Sequence, residues 1–436
     1  VDVWRQDSMY YVGSYDDKLA DEGRWINYIF FRFLRLVPSD FAILFSYACV
    51  VIFSYIVAQR VTNNVYFSAA FGLLCSLVPV LPVQLEWPET LLIGFGLLAA
   101  SPLLQRSLPS YFFFPLTGIL FFGTFSAFYF LMPLLFLKDL NYSRFWRLMV
   151  FWVGSFVLAY AVTNFIVYLY TGNAIQIAGW RHPNYVVDMT SLMENIAKVG
   201  GALKVHFGKI SSFLKPGALA ALIIIALLIG IVKRQYFSFW LALICGFAIY
   251  ASSIPVGIYV QERTILGAFI AVLTGLFVYQ YQSTKAFLAV MVIMFLVSIR
   301  LAMAGNQSIN WYKAQTDVLT QQFQGAIEHQ PGEVRKLFIM VEMQESLALF
   351  KKIEENLGRT NLFSEGFVHP QYWVPALKEM GYVHYRICPD LVGWDCDQVI
   401  SYYQKRLEYQ KDHGLFISHR LPEGDLLLMI NPSALK

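Results

Sequence analysis

The chain has 436 residues, of which 57% are hydrophobic and only 14% are charged, and its net charge is +4. Soluble domains carry about 25% charged residues, so this composition excludes an ordinary soluble protein and predicts an integral membrane protein. The low net charge, without a basic stripe interleaved with aromatic residues, argues against binding of nucleic acid.

A polar stretch, SYDDKLADEGRW over residues 14–25, comes before the first apolar segment. On a loop, one carboxylate of the Asp16–Asp17 pair can face a reacting group while the other orients a base, a metal or an arginine. A carboxylate there has the chemistry to take a proton from a sugar hydroxyl. The plainer interpretation is a solvated acidic loop. Because the chain starts with Val1 on this polar sequence, we expect one transmembrane helix upstream of it.

Apolar segments follow. Residues 25–37 carry Arg32 and Arg35 and are too short to span a bilayer, which predicts an amphipathic helix on the membrane surface. About ten spans are expected after it. They cover residues 41–58, 65–83, 89–104, a hairpin within 110–140, 145–170, 216–232, 236–254, 264–281 and 286–305. Basic residues flank both ends of 110–140, so that hairpin is expected to turn near Gly123–Ala127.

Basic residues give the orientation of these spans. They collect on one side, which the positive-inside rule makes cytoplasmic: Arg60, Arg106, Lys138, Arg144, Arg147, Lys233, Arg234 and Lys285. The acidic stretch, the loop 171–215 and the C-terminal region are then all non-cytoplasmic. Within that loop, Met189–Phe213 has the pattern of an interfacial helix, either a simple surface helix or a lid over a lipid-facing cleft.

The composition changes after residue 305. Residues 336–341 and 426–430 are predicted strands, and residues 317–327, 345–357, 374–380 and 397–410 are predicted helices. They indicate a small soluble α/β domain. Cys388 and Cys396 are spaced for a disulfide in an oxidising compartment, or are two free thiols. The histidines of this region are scattered, so no metal site is expected there.

Charged and aromatic residues at the outer ends of spans are the other candidates for a site, because burying charge in a membrane is costly and usually functional. They are Glu86, Trp87, Glu89, Trp180, Arg181, Glu262 and Arg263. Each is equally well explained as an ordinary interfacial residue. Together with Asp16, Asp17 and Arg24 they are expected to converge on one outer-face cavity. Arginine binds phosphate bidentately and a carboxylate activates a hydroxyl, so such a cavity suits an anionic lipid-phosphate donor and a hydroxyl acceptor.

The acidic pair carries a resemblance to a known family. Tyr15-Asp16-Asp17, followed by Asp21-Glu22-Gly23-Arg24-Trp25-Ile26-Asn27-Tyr28, resembles the N-terminal signature of the Gtr-type, serotype-converting glucosyltransferases of bacteria and phages. The Trp87-Pro88-Glu89 segment and the hairpin around Thr124–Tyr129 are also similar. The resemblance covers roughly residues 10–300 and leaves the C-terminal domain unmatched.

The resemblance implies a GT-C type fold in the bacterial inner membrane, with the active site and the C-terminal domain periplasmic. It implies a polyprenyl-phosphate sugar donor, with glucose as the expected sugar, and a lipid-linked glycan or lipopolysaccharide (O-antigen) acceptor. Asp16 or Asp17 would be the general base of an inverting transfer. Charge alone makes Arg24, Arg263 and Arg181 the choices for the donor phosphate. No cofactor is expected, and a divalent metal is possible but not favoured.

The remaining cavity residues are expected to contact the acceptor: Glu22, Trp25, Glu86, Trp87, Glu89, Glu262 and Trp180. The expected domains are the acidic loop with its interfacial helix (1–40), the transmembrane domain (41–305) and the α/β domain (306–436). A transporter or flippase for a lipid-linked sugar is the main alternative. It would be expected to show internal repeats and a site at the membrane midplane, and neither is visible in the sequence. A glycan-binding scaffold is a third possibility.

Overall fold

The computed structural model describes residues 15–34, 36–85, 88–138, 140–177, 181–213, 224, 236–278, 287–328, 334–342, 345, 348–349, 352–353, 355, 384–388, 396–405 and 414–435. These residues form two compact units, one up to residue 306 and one from residue 307. Nearly all of the predicted span 216–232, the whole predicted helix 374–380, and Glu86, Trp87 and Trp180 lie outside the described residues.

The first unit is helical. Its helices are α1 (Asp16–Glu22), α2 (Trp25–Leu34), α3 (Ser39–Thr62), α4 (Val65–Ser76), α5 (Val80–Gln84), α6 (Pro88–Ser107), α7 (Ser110–Phe122), α8 (Tyr142–Thr171), α9 (Met189–Phe213), α10 (Tyr236–Ser253), α11 (Leu266–Leu273) and α12 (Phe287–Glu328). Short 3₁₀ segments cover Ser126–Phe136 and Glu262–Thr264, and a π-helical turn covers Thr274–Val278. α12 continues into the second unit, so the boundary between the units falls inside a helix.

The acidic stretch is a helix where a loop was predicted. α1 begins at Asp16, so Asp16 and Asp17 occupy its first turn, where carboxylates are stabilised by the helix dipole. Gly23 ends the helix with a left-handed backbone (φ +69°), and its N–H donates to the carbonyl of Leu19. Acids at the start and a glycine at the end are helix signals, and they were outweighed in the prediction by the high density of charge.

Two of the described helices are long and apolar enough to cross a membrane, and they run over Asp40–Thr62 and Tyr142–Thr171. The second is largely uncovered by protein, because Val150, Val157 and Leu169 are each more than 60% exposed. Shorter apolar helical segments of 10–17 residues occur at other predicted spans, including Val65–Ser76, Phe237–Ser253 and Met291–Gln307.

Prolines break one predicted span. The expected continuous helix over 65–83 is two helices, α4 and α5, separated by Leu77, Val78 and Pro79. Pro79 lacks a backbone N–H and its ring would clash with the preceding turn, so α4 ends before it and α5 starts after it. The predicted span 264–281 is likewise divided, into α11 and the π-helical turn.

The predicted hairpin within 110–140 is confirmed. α7 ends at Phe122, the chain turns at Gly123–Phe125, and the Ser126–Phe136 3₁₀ helix returns. Each arm is only about 20 Å long, from rises of about 1.5 and 2.0 Å per residue, so neither arm alone crosses a hydrocarbon core of about 30 Å. The returning arm packs on α8, where Tyr129 donates to the carbonyl of Trp152 at 2.7 Å.

The second unit has a four-stranded sheet in its described part, with strands β1 (Leu337–Met340), β2 (Tyr385–Cys388), β3 (Phe416–Arg420) and β4 (Leu426–Ile430). Their order is β2-β1-β4-β3, and only the β3–β4 pair is antiparallel. Phe323 and Ile327 of α12 pack on one face. Val399 and Tyr403 of a further helix, α13 (Asp397–Gln404), pack on the other. The two predicted strands are confirmed, and the predicted α/β class of this unit follows.

Cys388 and Cys396 form a disulfide, which links the end of β2 to the residue before α13. The three other cysteines, Cys49, Cys75 and Cys245, are buried and free.

We expect alkylation of the SDS-denatured, unreduced protein to modify three cysteines, and five after reduction. Intact mass and peptide mapping would count them, with Cys49, Cys75 and Cys245 as the internal controls that react in both samples. Modification of all five without reductant would contradict the disulfide.

Candidate functional site

The carboxylate of Glu22 is the centre of a cluster of charged side chains at the end of α1. Its oxygens lie 3.1 Å from Lys18 Nζ, 2.5 Å from an Arg24 nitrogen and 2.7 Å from an Arg181 nitrogen. The four side chains are mostly buried, with 10–24% exposure. Three cations around one carboxylate give these four groups a formal charge of +2. We call Lys18, Glu22, Arg24 and Arg181 the Glu22 cluster.

Gly23 lets this cluster form. A Cβ at this position would lie 2.7 Å from Cδ1 of Ile175 and 2.8 Å from Cγ2 of Thr163, so only glycine allows α1 to approach α8 and the segment after it. The segment is also bound through its backbone, since the N–H of Gln176 donates to the carbonyl of Ala20 at 3.1 Å. The Gly-Arg motif therefore has a physical meaning here: the glycine brings the helices together and places Arg24 beside Glu22.

The start of α2 is fixed on the hairpin turn. The backbone N–H groups of Ile26 and Asn27 both donate to the carbonyl of Gly123, at 2.9 and 3.3 Å. The indole of Trp25 lies against Gly123, where a Cβ would be 2.7 Å from Nε1. That indole N–H is buried and has no hydrogen-bond partner among the described residues. Trp25 is thus an anchor of the turn as well as a predicted cavity residue.

Two polar residues under the cluster, Tyr15 and Asn27, hold it from below. The amide of Asn27 is fully buried and donates to the carbonyl of Thr90 at 2.7 Å. The same amide reaches the Tyr15 hydroxyl at 3.4 Å. Burial raises the pKa of the Tyr15 phenol, so it stays neutral. Arg24 is further oriented by Phe125, whose ring centre lies 5.5 Å from the guanidinium carbon.

Asp16 lies at the opposite end of α1 from Glu22, and its side chain is exposed. Burial and the neighbouring Asp16 carboxylate raise the pKa of the Tyr28 phenol on α2. Asp17 shares the first turn of α1, but its side chain lies outside the described residues, as do those of Glu89 and Arg263. The structure therefore places one member of the acidic pair at an accessible position on the helix that carries Glu22.

Arg181 comes from a distant part of the chain that is well tethered. The next residues run beside the turn after α10, where Asn184 and Val186 donate from their backbone N–H groups to Val256 and Pro255. The amide of Asn195 on α9 donates to the carbonyls of Asn184 and Ile254, at 2.6 and 2.9 Å. These bonds hold Arg181 in place before any ligand arrives.

Glu262, a predicted cavity residue, is not part of the Glu22 cluster in the described contacts, because it pairs with Lys209 of α9. Near this pair, Nδ1 of the buried His206 lies 2.8 Å from the Tyr250 hydroxyl. Burial and the Lys209 charge lower the pKa of His206 to about 4, so its imidazole is neutral at pH 7. Sequence reasoning missed Lys18, Asn27, His206 and Lys209. Lys209 alone gave a signal, as a cation inside the predicted interfacial helix.

No group of three or more His, Cys, Asp or Glu side chains is arranged to hold a metal ion in the described part of the chain. Comparisons with protein-family models, with curated proteins and with solved structures gave no significant match to this chain. The interpretation of the site therefore rests on its geometry and on the motif resemblance.

Gly23→Ala should destabilise the protein more than Gly172→Ala. Both glycines end helices with positive φ, +69° and +75°, but a Cβ at Gly172 would meet nothing within 4 Å. The shared backbone cost is about 1–2 kcal/mol, and the clash at Gly23 adds about 1–3 kcal/mol. Thermal unfolding of the detergent-solubilised variants would measure the difference. Equal losses of stability would contradict the close approach at Gly23.

His206 should make stability fall with decreasing pH. Its pKa is about 6.5 in an unfolded chain and about 4 here. Between these values the unfolded state binds a proton that the folded state does not, so the loss begins below about pH 6.5 and grows down to about pH 4. His206→Asn should reduce the drop in Tm between pH 7 and pH 4. An unchanged drop would show that His206 does not cause it.

Proposed function

We propose that this chain is a membrane-embedded glycosyltransferase of the GT-C type. It would move a sugar from a polyprenyl-phosphate donor to a hydroxyl of O-antigen or another surface glycan, on the periplasmic face of the bacterial inner membrane. The observation that carries the proposal is the Glu22 cluster, in which Arg24 and Arg181 are held side by side by one carboxylate on the helix that begins with the acidic pair.

Placement in a bilayer is supported by the surface of the first unit. The helices Asp40–Thr62 and Tyr142–Thr171 are long and apolar enough to cross, and exposed leucines, valines and phenylalanines cover much of both. Exposed apolar surface of this extent on a water-soluble protein would drive aggregation, whereas lipid tails cover it without cost. A polytopic arrangement of about ten spans is the one the sequence favours.

Arg24 and Arg181 are suited to the donor phosphate. Each guanidinium offers several N–H donors in a fixed plane, and Glu22 occupies only part of them. Because both arginines are already oriented, little conformational entropy is lost when a phosphate binds. The formal +2 of the four cluster groups also attracts an anion. Arg263, on the 3₁₀ turn that also carries Glu262, is a third proposed contact through its charge.

The acidic pair is suited to activating the acceptor. In the proposed inverting transfer, the carboxylate of Asp16 or Asp17 takes the proton of the acceptor hydroxyl while its oxygen attacks the anomeric carbon. The bond from that carbon to the phosphate oxygen breaks, and the polyprenyl phosphate leaves with the electron pair. The arginines stabilise the charge that grows on the leaving phosphate. Asp16 is exposed, so an acceptor can reach it.

The disulfide supports the proposed side of the membrane for the C-terminal domain. A bond between Cys388 and Cys396 persists in an oxidising compartment, such as the periplasm, and is rare in the cytosol.

The test is transfer of radiolabelled glucose from undecaprenyl-phosphate glucose to lipopolysaccharide or its lipid-linked precursor, by purified protein with and without EDTA. Asp16→Asn and Asp17→Asn should both fold, and at least one should lower kcat by about 10²–10⁴-fold, the usual contribution of a general base. Arg24→Gln should chiefly raise the KM for the donor, by about tenfold for one lost charge-assisted contact.

Asp40→Asn is the matched control, since Asp40 is an exposed aspartate in the first turn of another helix. It should transfer sugar at the wild-type rate. Full activity in both Asp16→Asn and Asp17→Asn would refute the catalytic role of the pair. Absence of transfer, together with ligand-dependent movement of lipid-linked sugar in vesicles, would establish the transporter instead.

A further inference from the structure

A cavity of about 840 Å³ lies among the ends of α3, α6, α7 and α8. Five cationic side chains line it: Arg60, Arg106, Lys138, Arg144 and Arg147. Gln59, Asn63, Gln105 and Ser110 add uncharged polar groups, and no acidic residue belongs to the described lining. Positive-inside sorting accounts for basic residues on one side of a membrane, but it does not require five of them to surround one cavity.

This cavity is remote from the Glu22 cluster. α6 contacts the buried Asn27 near its start, through Thr90, and reaches the cavity sixteen residues later at Arg106. α7 meets Trp25 just beyond its last residue and reaches the cavity at its first, Ser110. At about 1.5 Å per residue these helices separate the two places by roughly 20–25 Å. The cavity is therefore a second feature of the fold and not an extension of the proposed active site.

Arg60 is built into the wall of the cavity. Its guanidinium donates to the carbonyl of Leu135 at 3.0 Å and to that of Pro102 at 2.9 Å. These bonds join the end of α3 to α6 and to the returning arm of the hairpin. They hold one positive charge in place and leave further N–H donors of the guanidinium for another acceptor.

The starts of two helices strengthen the positive potential. α7 begins at Ser110 after Pro109, and no side chain caps its first N–H groups. α8 begins at Tyr142 with no acid in its first turn, and Arg144 and Arg147 follow within two turns. Cations at a helix N-terminus are unfavourable because the dipole there is also positive. A bound anion would offset both the dipole and the clustered charge.

We propose that this cavity binds a phosphate group, supplied by the headgroup of an anionic lipid. Ile56, Leu135, Phe136, Leu140 and Leu148 form apolar walls beside the cations, which suits the glycerol and first acyl carbons of a lipid. Basic pockets between transmembrane helices on the cytoplasmic side are a known way to bind such headgroups. Free inorganic phosphate shares the recognising chemistry and lacks the apolar part.

The test compares binding of phosphatidylglycerol, phosphatidylcholine and inorganic phosphate to the full chain purified in a neutral detergent, by native mass spectrometry and thermal shift. We expect a preference for phosphatidylglycerol over phosphatidylcholine. Arg144→Gln/Arg147→Gln should weaken phosphatidylglycerol binding by about 30-fold, from the loss of two headgroup charges. Arg106→Gln, a single change at another wall, should weaken it by about fivefold, which keeps the test valid if the double variant fails to fold.

Lys204→Gln is the matched control, because Lys204 is an exposed cation on α9 and does not line the cavity. It should bind phosphatidylglycerol as the wild type does, and so should Asp16→Asn, whether or not that variant transfers sugar. Binding of inorganic phosphate with no preference for phosphatidylglycerol would keep the phosphate site and assign it a soluble source. Equal binding of both lipids with no phosphate effect, or binding that survives all three arginine changes, would overturn the proposal.

Discussion

The contact between Glu22 and Arg181 ties together two segments 159 residues apart, and the outer part of the first unit depends on it. Without the carboxylate, Lys18, Arg24 and Arg181 would be three mostly buried like charges, and leaving buried cations without a counter-ion costs several kcal/mol. With it, α1 is joined to the loop that leads into α9. That loop is in turn bonded to the turn after α10, so one carboxylate organises three regions of the chain.

Close backbone approach makes this electrostatic arrangement possible. Gly23 lies against α8 and the segment after it, and Gly123 lies against Trp25 and Ile26, with less space at either position than a Cβ needs. The hairpin therefore ends directly beneath α2, and its Gly123 carbonyl accepts from two N–H groups of that helix. Asn27 then fills the remaining polar positions, bonding to α6 and the turn. The charged cluster thus rests on an uncharged, closely packed base.

Sequence reasoning succeeded where one physical signal dominated. The periodic pattern of Met189–Phe213 gave α9, and flanking charge gave the hairpin turn. It failed where signals competed, as in α1, where dense charge hid a short capped helix. It also missed β2 and β3, because the YRIC and FISHR segments place polar side chains among few apolar ones. The grouping of Glu22, Arg24 and Arg181 follows the expected convergence, whereas the partner of Glu262 is set by the tertiary path of α9, which no local pattern encodes.

The two groups of cations differ in a way that matches the two roles proposed for them. In the Glu22 cluster a carboxylate already occupies the arginines, so a phosphate must compete with it and gains less affinity than it would from free guanidinium groups. That suits a donor site, which has to release polyprenyl phosphate after each transfer. The described lining of the cavity around Arg60 includes no carboxylate, and its like charges repel one another until an anion arrives. Such a site favours long residence, as expected of a lipid that stays bound while the enzyme turns over.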